Sequence, residues 1–381
     1  MKILFSGGGT GGHFYPIIAI SEAIYEKSKE KKILVPKLYF MSPTRYNPKA
    51  LFDNDIQYVH VPAGKIRKYF SLLNITDFFK IIYGSFSAII KMFQIYPNVV
   101  FGKGGYASFP ALLAARILRI PVVIHESDSI PGKVNTWAGK FARKIAISYP
   151  ESVKYFQKND SSTADTRIAF TSLPIRKGII DPLSNGAREF LKLEEGTPTI
   201  LILGGSQGSQ KINDTLMDAL PELVEKYQII HQTGKNNFES IKETISVVLK
   251  DNKYSYRYHP FDYLNDLAIR MSAGMADVII SRAGSAIFEI ANWGVPSIII
   301  PISKEISHDQ TENAFSYARS GACTVIEEHN LSEHILISEV DNIINNPSIG
   351  EKMRISAQKF GHRDAANKIA EVLLEIGLEQ E

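Results

Sequence analysis

His13 closes a run of glycines. In "KILFSGGGTGGHFYP" an apolar strand leads into G-x-G-x-x-G at Gly7, Gly9 and Gly12, followed by an imidazole whose ordinary pKa lies near neutrality. Such a side chain beside a glycine turn can take a proton from a hydroxyl, or it can cap and position the loop. Glu126, in "HESD", is a second proton acceptor by type and could equally brace its own loop. "GGSQGSQ" offers free backbone N–H groups at a helix start, with Ser206 and Gln207 as further donors, a composition suited to phosphate.

G-x-G-x-x-G by itself is a weak signal. A dinucleotide-binding loop also needs a carboxylate ending the second strand, about 20 residues on, to hold a ribose. Here that strand, "KLYFMSPTRYNP", ends in Ser42, Pro43, Thr44 and Arg45. No Gly-Lys-Ser/Thr follows the loop either, which removes the Walker alternative.

These residues need a scaffold of strands that end in small-residue turns. Four stretches have that form: "KILFSGGGTGGH", "NVVFGKGGYAS", "TILILGGSQGS" and "DVIISRAGSAIFE". Further apolar strands are expected at Leu38–Met41, Pro121–His125, Gln228–His231 and Ser297–Pro301, alternating with helices such as Pro16–Lys27, Ala111–Leu118 and Lys211–Leu223. Continuous apolar strands alternating with helices predict parallel sheets covered on both faces. The expected class is α/β, as two doubly wound Rossmann-like domains facing a cleft. Their bounds are set at 1–176 and 177–381, with a linker near Ser172–Leu183. The tail Ser348–Glu381 reads as one or two charged helices, the last a candidate to pack back on the first domain.

At 381 residues and 44% apolar content the chain can bury two cores. A single cysteine, Cys323, excludes an internal disulfide and a cysteine metal cage, and fits a reducing compartment. Ile3-Leu4-Phe5 is too short for a signal-peptide core, and no stretch is expected to approach the ~20 apolar residues that span a bilayer. Net charge is only +3, yet residues 56–125 hold eight bases against one acid, Asp77, so that segment is +7 and the remainder −4. This asymmetry points to an anionic partner for the first half.

Taken in order, "GGGTGGHFYP", "GKGGYASFPALLAA", "PVVIHESD", "LPIR", "GGSQGSQKIN", "SRAGSAIFE" and "HDQTENA" resemble the MurG-type glycosyltransferases of peptidoglycan synthesis, from Lys2 to about Phe360. The resemblance implies the GT-B fold and inverting transfer of N-acetylglucosamine from UDP-GlcNAc to an undecaprenyl-diphosphate-linked muramyl-pentapeptide (lipid I), giving lipid II. It implies no metal, no other cofactor and no nucleic acid. His13 and Glu126 become the candidate bases. Thr10, Gly11, Gly12, Asp128 and Arg176 fall to donor binding, with Ser206 and Gln207 at the diphosphate. Glu289 matches the carboxylate that holds the ribose, Arg282, Ala283, Gly284 and Ser285 form its loop, and backbone around Leu264 reads uracil. Gln310 and Asn313 fit the sugar hydroxyls, or else a solvated helix face. Three departures stand out: "SLPIR" replaces "GNPVR", Asp128 replaces an Asn, and "RAGSAIFE" is one residue shorter.

The lipid acceptor implies a peripheral enzyme on the cytoplasmic face of the plasma membrane. Gly104, Gly105 and Tyr106, with Lys103, are the candidate site for the acceptor diphosphate. Lys65, Arg67, Lys68, Tyr69 and Phe70 are the candidate contact with anionic lipid. The following stripe, Phe78, Ile82, Phe86, Ile89 and Phe93, is expected to face the core. A UDP-GlcNAc 2-epimerase would share the architecture without needing the basic half, and a non-catalytic nucleotide-sugar binder would not need the full set of loops.

Overall fold

The computed structural model describes residues 1–65, 73–157, 165–205, 208–303 and 308–380; Arg67, Lys68, Tyr69, Phe70, Ser206 and Gln207 lie outside them. The chain forms two compact units, Met1–Arg176 with Arg363–Glu381, and Lys177–His362.

The first unit holds β1 (Lys2–Ser6), α1 (Gly11–Glu30), β2 (Lys37–Ser42), α2 (Pro48–Asp53), β3 (Ile56–His60), α3 (Leu73–Ile95), β4 (Val99–Gly102), α4 (Phe109–Ile117), β5 (Val122–Glu126), α5 (Lys133–Ala138), β6 (Lys144–Ile147) and β7 (Ile168–Phe170). Its strands run parallel in the order β3-β2-β1-β4-β5-β6-β7. Alternation along β1 shows why the strand is apolar throughout. Ile3 and Phe5 enter one core with Phe14, Ile17 and Val99, while Leu4 enters the other with Met41, Val100 and Ile124. The C-terminal helix Ala365–Leu378 completes the first of these cores with Ile369, Leu373 and Leu374.

The second unit holds α6 (Lys177–Ile180), α7 (Ala187–Leu191), β8 (Thr199–Leu203), α8 (Gln210–Lys226), β9 (Gln228–Gln232), α9 (Phe238–Val248), β10 (Tyr258–Phe261), α10 (Asp266–Met275), β11 (Val278–Ser281), α11 (Ala286–Trp293), β12 (Ser297–Ile299), α12 (His308–Arg319), β13 (Cys323–Val325), α13 (Glu333–Ile344) and α14 (Pro347–Phe360); the C-terminal helix is then α15. Its parallel order is β10-β9-β8-β11-β12-β13. Ile200 and Ile202 of β8 face one core, Leu201 and Leu203 the other.

Strand order reverses between β1 and β4 in one unit and between β8 and β11 in the other. Ligands of open α/β sheets bind at such switch points, beyond the strand C-termini. The four glycine-rich turns follow these four strands, two per switch point.

Two expectations need correction. Most of the α3 stripe does not face the core: Phe78, Ile82, Phe86 and Phe93 are more than half exposed, as are Ile75, Phe79 and Tyr83, while Ile89 of the stripe packs inward. The opposite face, with Ala88 and Met92, packs against α4. A second correction concerns length and apolarity. Asn74–Ile95, at a mean hydropathy of 1.3, is long and apolar enough to cross a bilayer by length and composition. The units divide between Arg176 and Lys177, within the segment 172–183, where Ser172, Leu173 and Ile175 are buried.

Candidate active site

In the first unit, Thr10 caps α1 with extended backbone, so Gly11, Gly12 and His13 form its first turn. The Thr10 hydroxyl does not reach back to the helix. It pairs instead with Nδ1 of His13 at 3.0 Å. With the proton on Nδ1, that bond leaves the Nε2 lone pair available. Burial, then the nearby Lys103 charge, hold the His13 pKa down to about 3, so the ring is neutral at physiological pH.

The second glycine loop packs against the first. Gly104 and Gly105 both have positive φ, and a Cβ at Gly105 would stand 3.5 Å from Cε1 of His13. A Cβ at Gly9 would touch the Tyr106 ring at 3.4 Å. Tyr15, two residues beyond His13, carries the Arg176 guanidinium over its ring at 4.1 Å. The structure thus gathers His13, Thr10, Gly105, Tyr106 and Arg176 at one end of one sheet.

Glu126 ends β5 buried, and both its oxygens are engaged. Oε1 accepts from the Asp128 N–H at 3.0 Å; Oε2 accepts from the Gly132 N–H at 3.1 Å and Asn135 Nδ2 at 3.0 Å. These bonds tie residues 126–135 into a fixed loop, the geometry of a brace. Burial, and next the Asp128 charge, push its carboxyl above the ordinary range. His125 is buried and bonded through Nε2 to the Ser172 carbonyl; its pKa is driven well down, by burial first and by Lys103 second. Asn135 had no signal in the sequence, because one polar residue in a short helix implies no partner.

In the second unit, Gly208 has φ +78°, and a Cβ there would run into the Thr233 carbonyl. Only glycine fits. The next residue, Ser209, caps α8 by accepting from the Ile212 N–H. Gln232, which sequence reasoning passed over, donates to the Gly205 carbonyl at 3.2 Å and accepts from the Leu264 N–H at 3.0 Å. It links the glycine turn to the segment expected to read uracil.

Arg282 is half-buried and spends its guanidinium on protein. It donates to Ser209 Oγ at 2.9 Å, to the Ile300 and Pro301 carbonyls at 3.2 Å each, and to Glu328 Oε1 at 2.6 Å. Glu328 also accepts from the Ser303 N–H at 3.1 Å. Burial opposes its charge, but Arg282 and that N–H hold its carboxyl below the usual range. Ala283 is buried, Gly284 and Ser285 open α11, and Glu289 lies half-buried in its first turn.

Gln310 accepts from the Ile302 N–H at 3.2 Å, and the buried Asn313 donates to the Ala283 carbonyl at 3.4 Å. This is no solvated helix face: both amides tie α12 to the strand ends. A cleft of about 320 Å³, lined by Pro301, Ile302, Ser303, Thr311 and Glu328, lies alongside.

Known proteins share this arrangement. Residues 3–147 match the glycosyltransferase family 28 N-terminal domain, and residues 199–369 the glycosyltransferase family 28 C-terminal domain. The chain is 34% identical over 370 residues, 97% of each chain, to a UDP-N-acetylglucosamine--N-acetylmuramyl-(pentapeptide) pyrophosphoryl-undecaprenol N-acetylglucosamine transferase of Bacillus thuringiensis subsp. konkukian. A like-named protein of Clostridium novyi is 34% identical over 345 residues, 90% of each chain. Among solved structures, MurG of Acinetobacter baumannii superposes with a TM-score of 0.71 at 23% identity, covering 98% of this chain and 99% of that one. A putative UDP-N-acetylglucosamine 2-epimerase of Listeria monocytogenes reaches 0.70 at 16% identity, covering 100% and 97%. The backbone alone therefore does not separate transferase from epimerase, but the sequence does. The chain belongs to glycosyltransferase family 28 and, within it, to the MurG-type N-acetylglucosamine transferases.

Proposed function

We propose that the protein transfers N-acetylglucosamine, with inversion, from UDP-GlcNAc to the undecaprenyl-diphosphate-linked muramyl-pentapeptide, forming lipid II. The observation that carries this reading is the pairing of near-full-length identity to transferases of that name with glycine turns at both switch points. His13 Nε2 accepts the proton of the acceptor hydroxyl, and Thr10 orients the ring. Arrival of an anionic diphosphate beside the imidazole raises its depressed pKa toward the working pH, where a general base is most effective. Glu126 braces the loop that carries Asp128. In the second unit the turn Gly204–Ser209 and the α8 N-terminus receive the leaving diphosphate, while Glu289 holds the ribose.

The enzyme rests peripherally on the cytoplasmic face of the plasma membrane, through α3. Its face of Ile75, Phe79, Ile82, Phe86, Ile90 and Phe93 is exposed, while the other face is fastened to α4. A helix anchored along one side and apolar along the other lies in an interface rather than across it. Lys65, Lys80 and Lys91 add attraction to anionic lipid.

Radiolabelled UDP-GlcNAc, supplied with and without a short-chain lipid I analogue, tests the reading. Label should move to the lipid-linked product only when acceptor is present. Conversion to a labelled 2-epimer in its absence would overturn the transferase assignment.

A further inference from the structure

Lys103 is the anomaly of the first unit. It follows β4, and its backbone N–H donates to the Ser6 carbonyl at 2.8 Å, stitching β4 to β1. Its side chain is 1% exposed, and among the described residues Nζ has no hydrogen-bond partner. Gly7 makes room for it, since a Cβ there would stand 3.0 Å from Lys103 Cβ. An ammonium buried without a hydrogen bond is costly unless nearby charge compensates it.

The compensating charges are two carboxylates at the neighbouring strand end: β4 and β5 pair with Gly102 beside Ile124, so Lys103 follows one strand where Glu126 ends the next, and the Asp128 N–H donates to Glu126 at 3.0 Å. Glu126 and Asp128 both favour the charged form of Lys103, against the burial that disfavours it. Beside Lys103 stand His13 on α1 and His125 on β5, both neutral. Two carboxylates against one ammonium leave this strand end no more than singly negative, beside the Gly104–Gly105 turn. Without the ammonium the same carboxylates would face substrates that each carry a diphosphate.

We propose that Lys103 is a positioning residue matched to Asp128, neutralising the β5 end so that a diphosphate-bearing substrate can settle against the first unit's glycine turns. The inference rests on the transferase reading given above. The diphosphate could be the donor's or the acceptor's, and the two arms of the test separate them.

The variants are Lys103→Met, Asp128→Asn and the double substitution. UDP affinity by calorimetry reads the donor arm, and KM for a short-chain lipid I analogue reads the acceptor arm. At pH 8, Lys103→Met should weaken at least one arm tenfold or more, and adding Asp128→Asn should recover most of that loss. Lowering the pH to 6 should shrink the Lys103→Met defect as Glu126 takes up a proton. Thermal unfolding of the same four proteins gives a readout independent of turnover. Each single substitution should lower the melting temperature, and the double should recover it. The proposal is overturned if the double variant is as impaired as Lys103→Met, if Lys103→Met binds normally, or if the melting shifts simply add. Absence of transfer by the unaltered enzyme would sink the transferase reading instead, while the melting cycle would still report on the pair.

Discussion

Gly104 and Asn135 interlock. A Cβ at residue 104 would stand 2.7 Å from Asn135 Nδ2, the nitrogen that donates to Glu126 and to the His125 carbonyl. With φ at +89°, Gly104 also occupies backbone space that other residues enter only under strain. Gly104→Ala should therefore cost about 1–3 kcal/mol in urea unfolding and lower activity as well. Asn135→Ala removes the amide without the backbone strain, so it should cost less stability. Equal midpoints for wild type and both variants would show that this interlock holds nothing.

His13→Ala should lower kcat by about 10²–10⁴-fold, with little change in UDP affinity. Because the free enzyme holds His13 down to about 3, the acid limb of kcat/KM should lie well below the pH 6.5 of an ordinary histidine. Thr10→Val should give a smaller loss, confined to kcat. Collapse of UDP binding in His13→Ala would instead mark the residue as a loop support.

His231 predicts acid sensitivity of the second unit. It is buried between Tyr258 OH at 2.7 Å and Asn213 Oδ1 at 3.1 Å, and burial lowers its pKa to about 3. Below pH 6.5 the unfolded chain binds a proton that the folded site refuses, so stability falls as pH drops toward 3. One such group costs about 2 kcal/mol by pH 5. His231→Gln should flatten that part of the pH–stability curve measured in urea; an unchanged slope would assign it to other groups.

Arg282 closes a network rather than meeting solvent. Arg282→Ala leaves Glu328 without its paired guanidinium and Ser209 Oγ with the Ile212 N–H as its remaining donor, an expected loss of about 2–4 kcal/mol. Lys cannot reproduce the fork, so Arg282→Lys should rescue little. Donor KM should rise in both variants, because the Ser209 cap belongs to the glycine turn. Normal donor KM with lowered stability would confine Arg282 to the fold.

The exposed face of α3 should govern vesicle binding. Replacing Phe79, Phe86 and Phe93 with Ser removes three rings, each about two-thirds exposed. At ~1 kcal/mol or more each, partitioning into anionic vesicles should drop roughly a hundredfold or further. Turnover of a water-soluble acceptor should hardly change. Undiminished cosedimentation would remove α3 from the interface.

Much of this was legible from residue order. Strands buried on both faces must be apolar throughout, so β1, β8 and β11 announced themselves, and each glycine turn marked a switch point. The α3 face was misread because an exposed apolar stripe has the same spacing as one that faces a core. Only the partner differs. Asn135, Gln232 and Glu328 were invisible because their partners lie far along the chain or in backbone atoms. Lys103 counts in sequence among the bases of an anion-binding half and beside the acceptor diphosphate, yet it is buried; charge can be read from sequence, but depth cannot.

The chain leaves the first unit at Arg176 and returns to it at Arg363. The second unit is thus an insertion within the first, and this sets an order of birth on the ribosome. Residues 1–176 emerge early but lack α15, whose Ile369, Leu373 and Leu374 fill their core. Lys177–His362 can close on its own contacts before that helix exists. Domains fold as units during synthesis. Here the first to emerge is the last to be finished, and a nascent chain stalled before residue 365 carries an open hydrophobic core at its N-terminal end.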